Sequence, residues 1–131
     1  MRLKILTPEK IVWDGDVESV LVPGEDGFFE VLKGHAPILS SLAPGNMRIV
    51  TAKKEQFFHI SHGFLEFSHD QGVLLADSVE KPGEIDRERV RLAKERAEKR
   101  LKQTEDVDIS RAEKALARAL SRERFIEKFP G

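Results

Sequence analysis

Apolar residues follow two rhythms along this chain, and the change falls between Val79 and Val90. Upstream, short apolar runs are broken by glycine and proline. Leu3 and Ile5 alternate with polar residues until Thr7-Pro8 ends the run. Ile11-Val12-Trp13 then leads into Asp14-Gly15, a strong short hairpin signal, and Val17 to Val22 returns from it. Pro23 to Gly27 reads as a turn, Phe28 to Leu32 as a strand, and Gly34-His35-Ala36-Pro37 as its close. Ile38 to Leu42 follows, then a turn at Pro44-Gly45-Asn46. Met47 to Thr51 and Gln56 to Ser61 flank Lys53-Lys54-Glu55, and Phe64 to Ser68 and Val73 to Ala76 flank His69 to Gly72. Eight to ten strands with a turn every ~8–12 residues predict an antiparallel sandwich.

Pro82-Gly83 stops the last strand, because proline lacks an amide donor and glycine is conformationally loose. Asp86 offers its side chain to the free amides of a helix running to about Gln103, on which Val90, Ala93, Ala97 and Leu101 form one stripe. Thr104 to Asp108 interrupts the stripe. A second helix, capped by Asp108 or by Ser110 with Glu113 closing a capping box, carries Ala112, Ala115, Leu116, Ala119 and Leu120. So short a connection predicts an antiparallel hairpin. The domains are therefore 1–83 and 84–131, an α+β chain. The hairpin seam is mostly alanine and yields only a few kcal/mol at ~25 cal/mol per Å², which makes the hairpin a weakly held, two-state element.

Composition bears on function mainly by exclusion. Without cysteine there is no disulfide, no thiolate metal ligand and no thiol nucleophile. No apolar run reaches the ~18 residues of a membrane span, and no apolar leader opens the chain; a soluble, cytosolic protein is expected. His59 and His62 stand three apart, on opposite faces of a strand, and so share no metal. His35 and His69 read as exposed loop histidines. Ser40-Ser41 and Ser61-His62 lack a nucleophile elbow, and no phosphate-binding glycine loop occurs. No catalytic residue and no metal site emerges.

Charge is segregated. Residues 1–80 hold 7 Lys+Arg against 12 Asp+Glu, a net −5, and residues 81–131 hold 15 against 11, a net +4. The basic tail suits an acidic surface or an anion. At ~100° per residue, Arg89, Arg96 and Arg100 share one flank of the first helix, and Arg111, Arg118 and Arg122 one edge of the second. Either these guanidiniums converge on a polyphosphate, or they pair with Glu95, Glu98, Glu113 and Glu123; spacing alone favours the second. The acidic sandwich lacks the basic-aromatic platform of a single-strand nucleic-acid binder, which counts against a free-standing adaptor of that kind.

Several stretches carry a resemblance: Leu6-Thr7-Pro8-Glu9-Lys10, Val20 to Gly24, Gly34-His35-Ala36-Pro37-Ile38-Leu39, Gly63-Phe64-Leu65-Glu66, Leu75-Ala76-Asp77 and Glu84-Ile85-Asp86. In this order, and followed by a charged helical hairpin, they make the whole chain resemble the epsilon subunit of bacterial F-type rotary ATP synthases. The resemblance implies a ten-stranded β-sandwich and a two-helix C-terminal domain in a non-catalytic subunit of a proton- or sodium-translocating complex. It implies that the sandwich clamps the gamma subunit and rests on the ring of c subunits. It further implies that the extended hairpin reaches the alpha/beta catalytic ring and blocks ATP hydrolysis. Such a chain would sit peripherally on the cytoplasmic face of the inner membrane, with neither membrane insertion nor nucleic-acid binding.

Some members of that family bind ATP through Ile/Leu-Asp-x-x-Arg-Ala plus later arginines. Here Ile85, Asp86 and Arg89 match, Val90 stands at the motif's alanine, Arg96, Arg118 and Arg122 stand where the later arginines are expected, and Glu80 supplies the preceding acid. ATP is thus a regulatory ligand under the resemblance, with no cofactor required, and ATP sensing is the alternative main role. The segment Gly27 to His35 departs from the family's glycine pattern at Glu30 and Lys33. Phe28 and Phe29 are either core or an apolar tip that, with His35, meets the rotor ring.

Overall fold

A computed structural model describes residues 1–52, 54–103 and 108–130 of the chain. The chain divides into two units, Met1–Glu80 and Lys81–Gly131. The first unit contains β1 (Arg2–Leu6), β2 (Ile11–Asp16), β3 (Ser19–Gly24), β4 (Gly27–Leu32), β5 (Ile38–Leu42), β6 (Gly45–Thr51), β7 (Lys54–Ile60), β8 (Gly63–Ser68), β9 (Gln71–Ala76) and β10 (Val79–Glu80). Two five-stranded layers, β2-β1-β9-β8-β5 and β4-β3-β6-β7-β10, meet through the single pairing of Gly24 with Leu42. All pairings are antiparallel except β1 with β9, where Arg2 to Leu6 run alongside Gln71 to Leu75.

Period-2 alternation fixes which side chains face inward. Leu3, Ile5, Leu65, Phe67 and Leu74 from one layer join Val20, Val22, Met47, Ile49, Phe58 and Ile60 from the other in one core. β3 pairs with β4 and β6 and touches β5, and Leu21 alone of its residues is not fully buried. That explains a run of sequence with apolar residues on both faces.

The Asp14-Gly15 hairpin is not formed. β2 runs straight through both residues, pairing Asp14 with Lys4 and Gly15 with Leu3. A type I′ turn needs positive φ at both central positions, and neither has it. Asp14 instead accepts two hydrogen bonds from the Arg2 guanidinium, at 2.9 and 3.1 Å. The chain reverses earlier, where Thr7 N–H donates to Lys10 O at 2.9 Å. The same turn geometry does occur at His69 and Asp70, with φ of 51° and 56°. Asp70 earns its place there because its carboxylate accepts from Gly34 N–H at 2.7 Å, tying the β8–β9 turn to the loop after β4.

In the second unit, α1 (Arg87–Leu101) is capped by Asp86, whose side chain accepts from the amides of Glu88 and Arg89. α2 (Ile109–Lys128) is capped by Asp108, which settles the choice between Asp108 and Ser110. The expected interruption at Thr104 to Val107 lies outside the described residues. Lys94 on α1 pairs with Glu123 on α2 at 3.2 Å, as an antiparallel arrangement requires. Val90, Ala97, Ala112 and Ala119 are buried as the stripes predict, but Leu101, Leu116 and Leu120 are only half-buried. The large anchors are instead Phe125 and Ile126, six and seven residues beyond Ala119.

Candidate functional site

Helical geometry stacks side chains three and four apart on one face. Ala93 and Ala97 on α1 therefore lie beside Arg96 and Arg100, and Ala115 and Ala119 on α2 beside Arg118 and Arg122. These eight side chains line a cleft of about 240 Å³ between the two helices. Alanine keeps the floor shallow, and the four guanidiniums form the walls.

Three carboxylates of the two helices, Glu88, Glu95 and Glu123, are engaged by Arg91 and Lys94. Arg91 binds Glu88 through both Nε and Nη2 and reaches Glu95 at 2.6 Å. The Arg91 guanidinium holds the Glu88 carboxyl below the usual carboxylate range, first through their hydrogen bond and then through charge; Glu88 raises Arg91 in the same order. Lys94 takes Glu123. Among the described residues, Arg96, Arg100 and Arg118 have no ion-pairing carboxylate. For Arg96, Arg100 and Arg118 the expectation that surface pairs absorb the arginines is therefore not met: pairs form on these helices with Arg91 and Lys94 as cations.

Of the residues singled out in the sequence, Arg96, Arg100, Arg118 and Arg122 come together. Asp86 is occupied as the helix cap, Ile85 is half-buried just before it, and Arg89 is exposed on the first turn, outside the cleft lining. Glu80 lies in β10, in the other unit, with its Oε1 3.7 Å from Nδ1 of the buried His59. On β4, Phe28 is 61% exposed while Phe29 packs against the core, so of the two adjacent rings Phe29 is the one with the core placement. His35 is half-buried, edge-on to Phe67 at 6.1 Å. His69 is exposed.

Two features escape a reading by stripes alone. The first is a repeat: Asp86, Arg89, Val90, Ala93, Arg96, Ala97 and Arg100 recur 22 positions later as Asp108, Arg111, Ala112, Ala115, Arg118, Ala119 and Arg122. The structure honours it, since both aspartates cap helices and Val90 and Ala97 are buried like Ala112 and Ala119. The second is an apolar row on the outer face of one layer. Ile11 pairs with Leu6, Leu6 with Leu75, and Leu75 with Phe64; Ile11, Leu75 and Phe64 are 56%, 49% and 55% exposed. The signal was the β9 run Val73 to Ala76, apolar on both faces, which marks a strand covered on both sides.

Among the described residues no group of three His, Asp or Glu side chains is placed to hold a metal ion. No helix there is long and apolar enough to cross a membrane.

Comparison with known proteins matches residues 1–82 to the ATP synthase delta/epsilon chain β-sandwich domain and residues 84–127 to the ATP synthase delta/epsilon chain long α-helix domain. The chain is 42% identical over 122 residues to an ATP synthase epsilon chain of Clostridium novyi, covering 92% of this chain and 93% of that one. It is 41% identical over 129 residues to that of Syntrophobacter fumaroxidans, covering 98% and 96%. A chain in the Euglena gracilis mitochondrial ATP synthase OSCP/F1/c-ring structure superposes with a TM-score of 0.81 at 24% identity, over 95% of this chain and 79% of that one. One in the Tetrahymena thermophila central stalk/c-ring gives 0.62 at 18% identity, over 99% and 93%. At such identities the two structures speak for the fold.

Proposed function

Since the chain belongs to the ATP synthase delta/epsilon family, we infer that it is a non-catalytic central-stalk subunit whose helical hairpin restrains ATP hydrolysis by a proton- or sodium-driven rotary synthase. The strand unit is the clamp. Its apolar outer row of Ile11, Leu6, Leu75 and Phe64 offers a dry contact for the gamma subunit, and exposed Phe28 offers another for the ring of c subunits. The basic helices are the brake, extending toward an acidic surface of the alpha/beta head. The protein works peripherally, on the cytoplasmic face of the inner membrane.

The observation that carries the brake is the seam of the hairpin. Alanine methyls contribute little apolar area, and four like-charged guanidiniums face one another across the cleft. Closure is thus weakly favoured, and a partner of modest affinity can open the pair. The test is ATP hydrolysis by synthase stripped of this subunit, after adding back the full chain or residues 1–83. The shorter piece keeps the entire β-core. Both should bind, and only the full chain should inhibit. Binding without inhibition by either would remove the brake and leave the clamp.

A second reading rests on the cleft itself. ATP bound among Arg96, Arg100, Arg118 and Arg122 would neutralise the mutual repulsion and hold the hairpin shut, so that high ATP relieves inhibition.

A further inference from the structure

The outer apolar row of the strand unit stops short at β5, where the residue opposite Phe64 is Ser41. Two residues earlier, Leu39 stands opposite Glu66 and diagonal to Phe64. Its neighbours fix its direction: Ile38 pairs with Phe67 and Ser40 with Leu65, both core residues, so Leu39 points out on the same face as Phe64. At 73% exposure it is the most exposed large apolar side chain among the described residues. Leu39 thus carries the row onto β5.

What delivers Leu39 is the crossover from β4 to β5, residues 33–37. Gly34, at φ 81°, and the hydrogen bond from His35 N–H to Leu32 O at 3.0 Å close a tight turn. The His35 ring stands edge-on to Phe67, the cross-strand partner of Ile38. A distant residue then ties the turn down. Asp70 Oδ1 accepts from Gly34 N–H at 2.7 Å, and Asp70 O accepts from Arg2 N–H at 3.0 Å. Hydrogen bonds to an ionised carboxylate are among the strong ones. Asp70 therefore joins β1, the β8–β9 turn and the crossover, with four residues between the tied Gly34 and Leu39. We infer that Asp70 is a positioning residue for the clamp: through Gly34 it holds the crossover so that β5 presents Leu39, beside Phe64, to the gamma subunit. The inference rests on the clamp reading above and adds to it one contact residue and the residue that orients it.

Calorimetric titration of the full chain into the gamma subunit tests it. Leu39→Ser should weaken binding by about tenfold or more. Glycine suits the φ of 56° at position 70 but lacks the carboxylate, so Asp70→Gly removes the tie without straining the turn. It should weaken binding about threefold to tenfold, and Asp70→Asn, which keeps an acceptor oxygen, should stay within about twofold of wild type. Because Asp70 acts through Leu39, Asp70→Gly should add less than about twofold once Leu39 is Ser, a non-additivity that a loss of stability alone would not produce. Melting curves check the fold; should Asp70→Gly be unfolded, Asp70→Ser, whose side chain is one bond shorter, replaces it. Wild-type affinity in Asp70→Gly, or its full effect persisting on Leu39→Ser, would overturn the positioning role. Wild-type affinity in Leu39→Ser would overturn the contact. If the wild-type chain does not bind the gamma subunit, the clamp reading itself falls, and this inference with it.

Discussion

A Cβ on Gly63 would stand 2.0 Å from the Leu75 carbonyl oxygen and 2.9 Å from the Ala76 Cα, both backbone atoms of the neighbouring strand. β8 and β9 approach that closely because Gly63 pairs with Ala76 at the end of their ladder. Gly15, by contrast, faces the Trp13 ring at 3.6 Å, an ordinary contact. Gly63→Ala must therefore push two strands apart and should cost at least about 2 kcal/mol, lowering the melting temperature by roughly 10 °C. Gly15→Ala should shift it by no more than about 2 °C, and equal melting of the two variants would contradict the packing described. Gly63 is thus structural: it makes room for a backbone, not for a ligand.

At the scale of elements, α1 buries little apolar surface, since Val90 and Ala97 are its buried residues, and it carries an exposed ion pair between Glu88 and Arg91. The Arg91 guanidinium holds the folded-state pKa of Glu88 below its ordinary value of 4.5. The pair's stabilising contribution is thus complete above pH 4.5 and is lost as pH falls through the folded value. Both groups are exposed, so the effect is modest. Arg91→Gln should make the helical circular-dichroism signal less sensitive to pH between 5 and 3 than in the wild type; superimposable profiles would count against the pair. Strand rhythm, helix caps and the alanine stripes were all legible in the sequence, because each is a local pattern. What escaped was non-local or discontinuous. The parallel β1–β9 pairing joins strands some sixty residues apart. Asp14-Gly15 carries a turn signal that sheet pairing overrides. Phe125 and Ile126 lie past the Ser121 to Arg124 stretch, where the stripe only seems to end. All four cleft arginines were visible as ligand candidates, but the absence of an ion-pairing carboxylate at Arg96, Arg100 and Arg118 among the described residues was not, because it depends on Arg91 and Lys94 taking the carboxylates.

For the whole molecule, the proposed clamp and the proposed brake fall in separate units that differ in charge and in core. The clamp has a continuous buried core and an apolar outer row; the brake has a small seam and repelling walls. The central claim is that the hairpin inhibits only when opened. Because the chain has no cysteine, Lys94→Cys and Glu123→Cys can be joined selectively by a short, cleavable thiol cross-linker across the position of their ion pair. ATP hydrolysis by synthase reconstituted with this locked chain is the most direct measurement. The account predicts uninhibited hydrolysis while the link is intact and inhibition once it is cleaved. Inhibition that persists with the helices locked together would contradict it.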